Sequence, residues 1–235
     1  MPIASDPPVL PLATLDAITG DENLLVLALQ PGDESFDCGG VIAQSCRRGR
    51  QPFVMVLHDG SASNPGSNAW PPDRTARVRE QETREAVRRL GLRPERLLMA
   101  GLFDGPTPDE GPVFEAIIRA ASLVMWARDC NLILAPWPAA EDPAALAAHR
   151  IAAEVAARSG VGHIAYVGRS PAPPGASVAG WRLDIAPDLE AKRHAVAAHA
   201  SQMGGLIADD PAPRFTPERL STSLRPFETL LRPPA

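Results

Sequence analysis

The sequence predicts an α/β fold: a single Rossmann-like domain, a mostly parallel sheet covered by helices on both faces, with a C-terminal arm. Three observations carry this. Short apolar runs alternate with longer amphipathic patterns along most of the chain, which is the signature of successive βαβ units. At 235 residues the chain can bury one such core and is short for two. Its prolines cluster at the start (Pro2, Pro7, Pro8, Pro11), at Pro171 to Pro174, and in the tail (Pro211, Pro213, Pro217, Pro226, Pro233, Pro234). A residue without a backbone donor belongs in loops and arms rather than sheet interiors. The whole of 1–235 therefore reads as one domain, its core about 22–203 and its Pro-rich arm about 204–235.

Each element follows in order. Leu24 to Leu29 is a continuous apolar run, the pattern of a strand buried on both faces. It breaks at Pro31-Gly32, passes Asp33 and Glu34, and turns helical over Phe36 to Arg48. PFVMVLHDG gives a second strand ending at His58-Asp59-Gly60, and a loop, SASNPGSNAWPPD, follows it. The helix from about Arg74 to Leu90 is charged, with Glu80/Arg84 and Glu85/Arg89 at i,i+4 as a solvated face requires. Arg96 to Ala100 is a third strand and Pro112 to Arg128 a third helix, with Trp126 expected in the core. Asn131 to Ala135 is a fourth strand, followed by an alanine-rich helix to Arg158 and a fifth strand, HIAYV. VAGWRLDI adds an edge strand and Leu189 to Met203 a last helix.

Composition removes several functions. A net charge of -5 gives no basic footprint for nucleic acid. No run approaches the ~18 to 20 apolar residues of a membrane span. The N-terminus lacks the basic-then-apolar pattern of a secretory signal. Cys38, Cys46 and Cys130 are odd in number and form no C-x-x-C pair, so reduced thiols and a cytoplasmic location are expected. Neither a G-x-S-x-G elbow nor a G-x-G-x-x-G or P-loop signature is present.

The most informative segment is LLVLALQPGDESFDCGG, Leu24 to Gly40. It lies where an open α/β sheet binds ligands, at the end of a strand. It resembles the signature of the LmbE-like/PIG-L zinc de-N-acetylases, A-H-P-D-D-E-x-x-G-C-G-G. The resemblance implies a site where zinc keeps one position for water, whose pKa falls to ~7, and where a carboxylate moves its proton. It places Asp33 on the ligand aspartate, Gln30 on a ligand histidine and Gly32 on the base. A glutamine amide is a poor zinc donor beside imidazole, and glycine moves no proton. Without the resemblance, Asp33 and Glu34 would read as acids capping a helix.

The family's second segment, H-x-D-H, falls within PWPAAEDPAALAAHRIAAEVAARSG. One register puts Ala145 on the zinc histidine, Asp142 on the first histidine and Ala144 on the aspartate. The other gives Ala147, Ala144 and Leu146. His149 is close by, as a helix-surface residue or a relocated ligand. Further blocks extend the resemblance over roughly Leu24 to Leu231. His58-Asp59-Gly60 with Asn64 resembles T-D-G followed by S-H-P-x-S, Arg79 and Glu82 an R-x-x-E, and Asp104 an L-P-D-G block. WRLDI and KRHAVAAHASQMGGLIADDP resemble R-x-D-I and K-R-x-A-x-x-x-H-x-S-Q blocks, fitting His199, Ser201, Gln202, Asp209 and Asp210. Asp59 and Asp104 could equally cap helices or tie turns. Trp70, Trp137 and Trp181 are candidates for a cleft lining or for core; His163 and His194 belong to no constellation.

These readings imply a de-N-acetylase homologue degenerate at the zinc site and catalytically silent, with no cofactor expected. It would keep a pocket for an amino-sugar-like ligand, drawn from Glu34, His58, Asp59, Asn64, Arg79, Asp104, Asp142, His149 and His199, or act through an interface. The alternative is an active zinc-dependent deacetylase of an N-acetyl amino-sugar conjugate, with ligands relocated among Asp33, Asp142, His149, His58 and His199. The resemblance also allows a homo-oligomer, assembled through the C-terminal arm. Restoring histidine at Gln30 and Ala145 and aspartate at Gly32 is expected to recover zinc binding.

Overall fold

The computed structural model describes residues 10–168, 178–204, 206, 207, 209 and 215–233. Pro2, Pro7, Pro8, Pro171 to Pro174, Asp210, Pro211, Pro213 and Pro234 lie outside the described residues. The strands are β1 (Leu12–Ala13), β2 (Leu24–Ala28), β3 (Phe53–His58), β4 (Leu97–Leu102), β5 (Leu132–Pro136), β6 (Gly162–Tyr166), β7 (Gly180–Asp184) and β8 (Phe227–Leu231). The helices are α1 (Leu15–Thr19), α2 (Asp33–Phe36), α3 (Gly39–Arg47), α4 (Pro72–Arg89), α5 (Gly111–Ala127), α6 (Pro143–Ser159), α7 (Leu189–Val196) and α8 (Pro217–Ser223). The eight strands form one sheet in the order β1-β7-β8-β6-β5-β2-β3-β4. Pairing is parallel except where β8 meets β6 and β7.

The run of Leu24 to Leu29 explains why β2 is central. Leu24, Val26 and Ala28 enter the core cluster shared with Val41 and Ile42 of α3, Val87 of α4 and Ala195 of α7. Leu25, Leu27 and Leu29 enter the opposite cluster, with Phe114 and Ile118 of α5 and Ile151 and Val155 of α6. A strand that feeds two cores cannot alternate with polar residues, and β2 does not. From β2 the chain steps to β3 and β4 on one side; β5 and β6 lie on the other. The ends of β2 and β5 thus form a topological switch point, where such sheets bind ligands.

Four expectations change. The Pro-rich C-terminal segment is not an appended arm throughout: β8 sits inside the sheet, between β6 and β7. VAGWRLDI supplies β7, one strand in from an edge formed by the two-residue β1. Trp126 is 82% exposed rather than core, because α5 turns Ile117, Ala121 and Met125 inward and leaves Trp126 on the outer face. The helix expected over Leu189 to Met203 ends at Val196, and a separate 3-10 turn covers Ala200–Gln202.

Strand β8 is fixed by charge. Glu228, buried, accepts from the backbone N–H groups of Gly40 (2.7 Å) and Val41 (2.9 Å) at the start of α3. It also pairs with the buried Lys192 Nζ of α7 at 2.6 Å. A carboxylate satisfies orphan donors at a helix N-terminus and suits its positive end. The Gly39-Gly40 pair serves this packing: a Cβ at Gly40 would meet Ile185 Cγ2 at 2.3 Å and Glu228 Oε1 at 3.0 Å.

Candidate functional site

The turn after β2 is built from short polar ties. Asp33 Oδ2 accepts from the Gln30 backbone N–H at 3.0 Å. Glu34, fully buried, accepts from the Gly32 N–H at 2.8 Å and from Ser35 Oγ at 2.8 Å. His199 Nε2 reaches Glu34 Oε1 at 3.1 Å and Ser35 Oγ at 3.1 Å. Gln202 Nε2 donates to the Pro31 carbonyl at 2.7 Å. Glu82 of α4 accepts from Ser201 at 2.7 Å (N–H) and 2.6 Å (hydroxyl). The blocks read separately in the sequence around Asp33, Glu82 and His199 therefore meet in one buried network.

At Gly32 the backbone takes φ +109°, a region that favours glycine, and an added Cβ would lie 2.8 Å from Gln202 Nε2. The position that would carry the base is thus strained against any side chain. Gln30 turns its amide to Asp104, donating from Nε2 to Oδ1 at 2.7 Å. Ser63 Oγ lies 3.4 Å from the other Asp104 oxygen. Asp59 ties the neighbouring turn, accepting from the N–H groups of Ser61 (2.9 Å) and Asp104 (3.1 Å).

Opposite this turn, Asp142 caps α6 by accepting from the Ala145 N–H at 3.0 Å. Asp33, Asp142 and Ala145 border one cavity of about 20 Å³, together with Leu29, Asp37, Pro136, Trp137, Tyr166 and Gly168. That is space for about one water. Ala147 is buried but does not line this cavity. A second cavity of about 160 Å³ is lined by Gln30, Pro31, Ser63, Arg79, Gln202, Phe215 and Arg219.

Arg219 of α8 is a residue that sequence reasoning missed. Its Nη2 lies 3.4 Å from Asp33 Oδ1 and 3.7 Å from Asp37 Oδ2. The signal that could have found it is weak: Thr216-Pro217-Glu218 is a helix start, and an arginine follows it.

Other candidates point elsewhere. His58 is 1% exposed, with Nδ1 2.9 Å from the Phe103 carbonyl and Nε2 2.8 Å from Thr107 Oγ1. His149 is half-buried on α6, and its ring packs on His163 of β6 with centroids 4.8 Å apart. Burial lowers the pKa of both rings, His163 to about 4, where His149 adds to the effect. His194 is exposed and faces Glu190 at 3.1 Å. Asn64 is buried, and its carbonyl accepts from the Ser67 N–H at 3.2 Å. Arg79 is 1% exposed and lines the larger cavity. Asp209 holds the same loop through Ser67 Oγ (2.7 Å) and the Ala69 N–H (3.0 Å). Trp137 borders the smaller cavity, whereas Trp70 lies under Arg74 and Trp181 packs against the core. Among the described residues no three His, Cys, Asp or Glu side chains are grouped to hold a metal ion, and no helix is long and apolar enough to cross a membrane.

Comparison with known proteins places this geometry. The family described as GlcNAc-PI de-N-acetylase (PIG-L) matches residues 25–158. Among solved structures the chain is similar to the N,N'-diacetylchitobiose deacetylase of Pyrococcus horikoshii, at 16% identity and TM-score 0.66 over 89% of this chain and 76% of that one. It is similar to the A40926 pseudoaglycone deacetylase Dbv21, at 17% identity and TM-score 0.69 over 91% and 99%. It is also similar to GalB, the 4-carboxy-2-hydroxymuconate hydratase of Pseudomonas putida KT2440, at 16% identity and TM-score 0.61 over 77% and 80%. Likenesses at these identities establish the fold, and the fold carries more than one reaction. No curated protein sequence matched.

Proposed function

We propose, from the premise that this chain belongs to the PIG-L (GlcNAc-PI de-N-acetylase) family, that it is a member silent in metal-dependent amide hydrolysis which keeps a small polar cleft. The observation that carries the reading is the placement of its histidines. The chain has five, and none lines the cavity that Asp33 shares with Ala145. His58 and His199 are engaged in buried hydrogen bonds, His149 and His163 pack on each other, and His194 faces Glu190.

The donor set around Asp33 does not suit zinc. Zinc sites take their affinity from imidazole and thiolate. Here the neighbours are a glutamine amide committed to Asp104, an alanine methyl, a guanidinium, and two further carboxylates, Asp37 facing that guanidinium and Asp142 capping α6. With glycine at position 32, no side chain stands where the base is required. What remains is the cleft between Gln30, Ser63, Gln202, Arg79 and Arg219, whose volume of about 160 Å³ suits one compact polar group. It falls below the roughly 300 Å³ of drug-sized ligand sites. A single amino-sugar-like ring or its substituent is the ligand class this reading gives.

One observation favours the alternative, a deacetylase with relocated ligands: Asp33, Asp37 and Asp142 border the same small cavity. Metal content by plasma mass spectrometry, on untagged protein before and after zinc loading and dialysis, separates the two. We expect near-zero retained zinc and no hydrolysis of N-acetylglucosamine conjugates. About one zinc per chain, with turnover lost on Asp33→Asn, would overturn the silent reading.

A further inference from the structure

We infer that Arg219 is an internal counter-cation: its guanidinium gives the Asp33 carboxylate the positive charge that a zinc-loaded relative draws from its metal. The inference rests on the silent reading of the site and explains how the site tolerates losing its ion. Asp33 is 3% exposed and Asp37 9% exposed. Two buried acids at the start and the C-cap of one short helix demand compensation, since a buried charge persists only when paired or hydrogen-bonded. Backbone N–H groups supply part, as at Gln30. Among the described residues the cation facing Asp33 is Arg219, which also reaches Asp37.

Its position is built rather than incidental. Phe215 stacks on Phe36 of α2, with centroids 3.7 Å apart and planes at 8°. The Arg219 guanidinium lies 4.6 Å from the Phe215 ring and 5.9 Å from the Phe36 ring, within reach of cation–π attraction. Thr216 caps α8 by accepting from the Arg219 N–H at 3.2 Å. Phe36, Phe215 and Val196 form a small apolar cluster with Leu220 and Leu224 beneath the arginine. Thus α2 and its C-cap residue carry both acids and part of the aromatic platform that holds their counter-charge.

A consequence follows for any attempt to rebuild the metal site. A guanidinium beside the retained ligand repels a divalent cation and occupies its hydrogen-bonding edge. Histidines restored at positions 30 and 145 should therefore hold zinc more weakly while Arg219 stays than once it is removed.

The test has two arms, both on the full chain. The first is a double-mutant cycle of Asp33→Asn and Arg219→Met in urea unfolding. We expect Arg219→Met alone to reduce the folding equilibrium constant about tenfold, and most of that loss to vanish when Asp33→Asn is also present. Arg219→Lys, which keeps the charge, should recover part of the single-variant loss. Additive effects of positions 33 and 219 would overturn the inference. The second arm measures zinc affinity by chelator competition in Gln30→His/Ala145→His, with and without Arg219→Met. Binding about tenfold tighter without the arginine is expected, and equal affinity would overturn the inference. Should Arg219→Met not fold, Arg219→Gln replaces it in both arms, with the same outcomes deciding. Zinc retained by the unaltered protein would instead defeat the silent reading itself, whatever the cycle gives.

Discussion

Gly32 shows how much one residue decides here. Its φ of +109° and the 2.8 Å approach of Gln202 Nε2 to an added Cβ are separate obstacles. Strain in such backbone regions costs on the order of 1–3 kcal/mol. We expect Gly32→Ala to destabilise the protein by about that amount in urea unfolding. Gln202→Ala should relieve the steric part and leave the backbone part, so the cost of Gly32→Ala should shrink in that background without vanishing. A neutral Gly32→Ala would mean that the turn relaxes freely and that aspartate could return there. The candidate site was half legible in the sequence. Gln30, Gly32 and Asp33 come from one aligned motif, because residues on a strand end keep fixed spacing, whereas Ala145 comes from one of two registers of a second segment. Arg219 comes from neither, because it approaches from 186 positions away in the chain and belongs to no local pattern. The partners of His58 and His149 were illegible for the same reason: they are set by packing that spacing does not reveal.

Among the elements, the α6–β6 contact makes a prediction about acid. His149 and His163 pack ring to ring at a tilt of 38° and are partly buried, and His149 Nδ1 and His163 Nε2 have no hydrogen-bond partner among the described residues. Desolvation lowers His163 from 6.5 to about 4, with His149 adding to the shift. A depressed histidine binds its proton more readily in the unfolded chain, so acid favours unfolding. The contribution is present above pH 6.5 and is lost as pH falls toward about 4. His163→Phe keeps a ring on His149 and removes this titration. Unfolding midpoints measured between pH 7.5 and 4.5 should decline less steeply in the variant than in the parent. At the upper pH His163→Phe should be neutral or stabilising, since it deletes an unsatisfied buried nitrogen. Parallel pH profiles would show that other groups control the acid limb. The elements themselves were largely legible: the apolar runs and the i,i+4 pairs of α4 predicted strands and helix correctly. Trp126 was not, because an apolar residue in a helical pattern does not declare which face it joins.

For the whole molecule, the decisive fact is that the last strand is interior. Strand β8 bridges β6 to β7, and through Glu228 it also binds α3 and α7. Proline content marked this region as an arm, but proline reports only where ladder donors are missing. Phe227 to Leu231 has none. A truncation that deletes the C-terminal segment would therefore remove β8 from the sheet itself, and a point substitution is the cleaner probe. Glu228→Ala leaves Lys192, which is 1% exposed, without its counter-charge, and leaves two helix N–H groups uncapped. Breaking a buried pair by removing one partner costs roughly 3–5 kcal/mol. We expect a loss of that size in urea unfolding, with Glu228→Gln milder because its amide oxygen can still accept from Gly40. Adding Lys192→Met to Glu228→Ala should recover part of the loss, since it removes the stranded ammonium. If Glu228→Ala cost no more than an exposed substitution, β8 would be held by its ladder alone, and α3 would have to find its cap elsewhere.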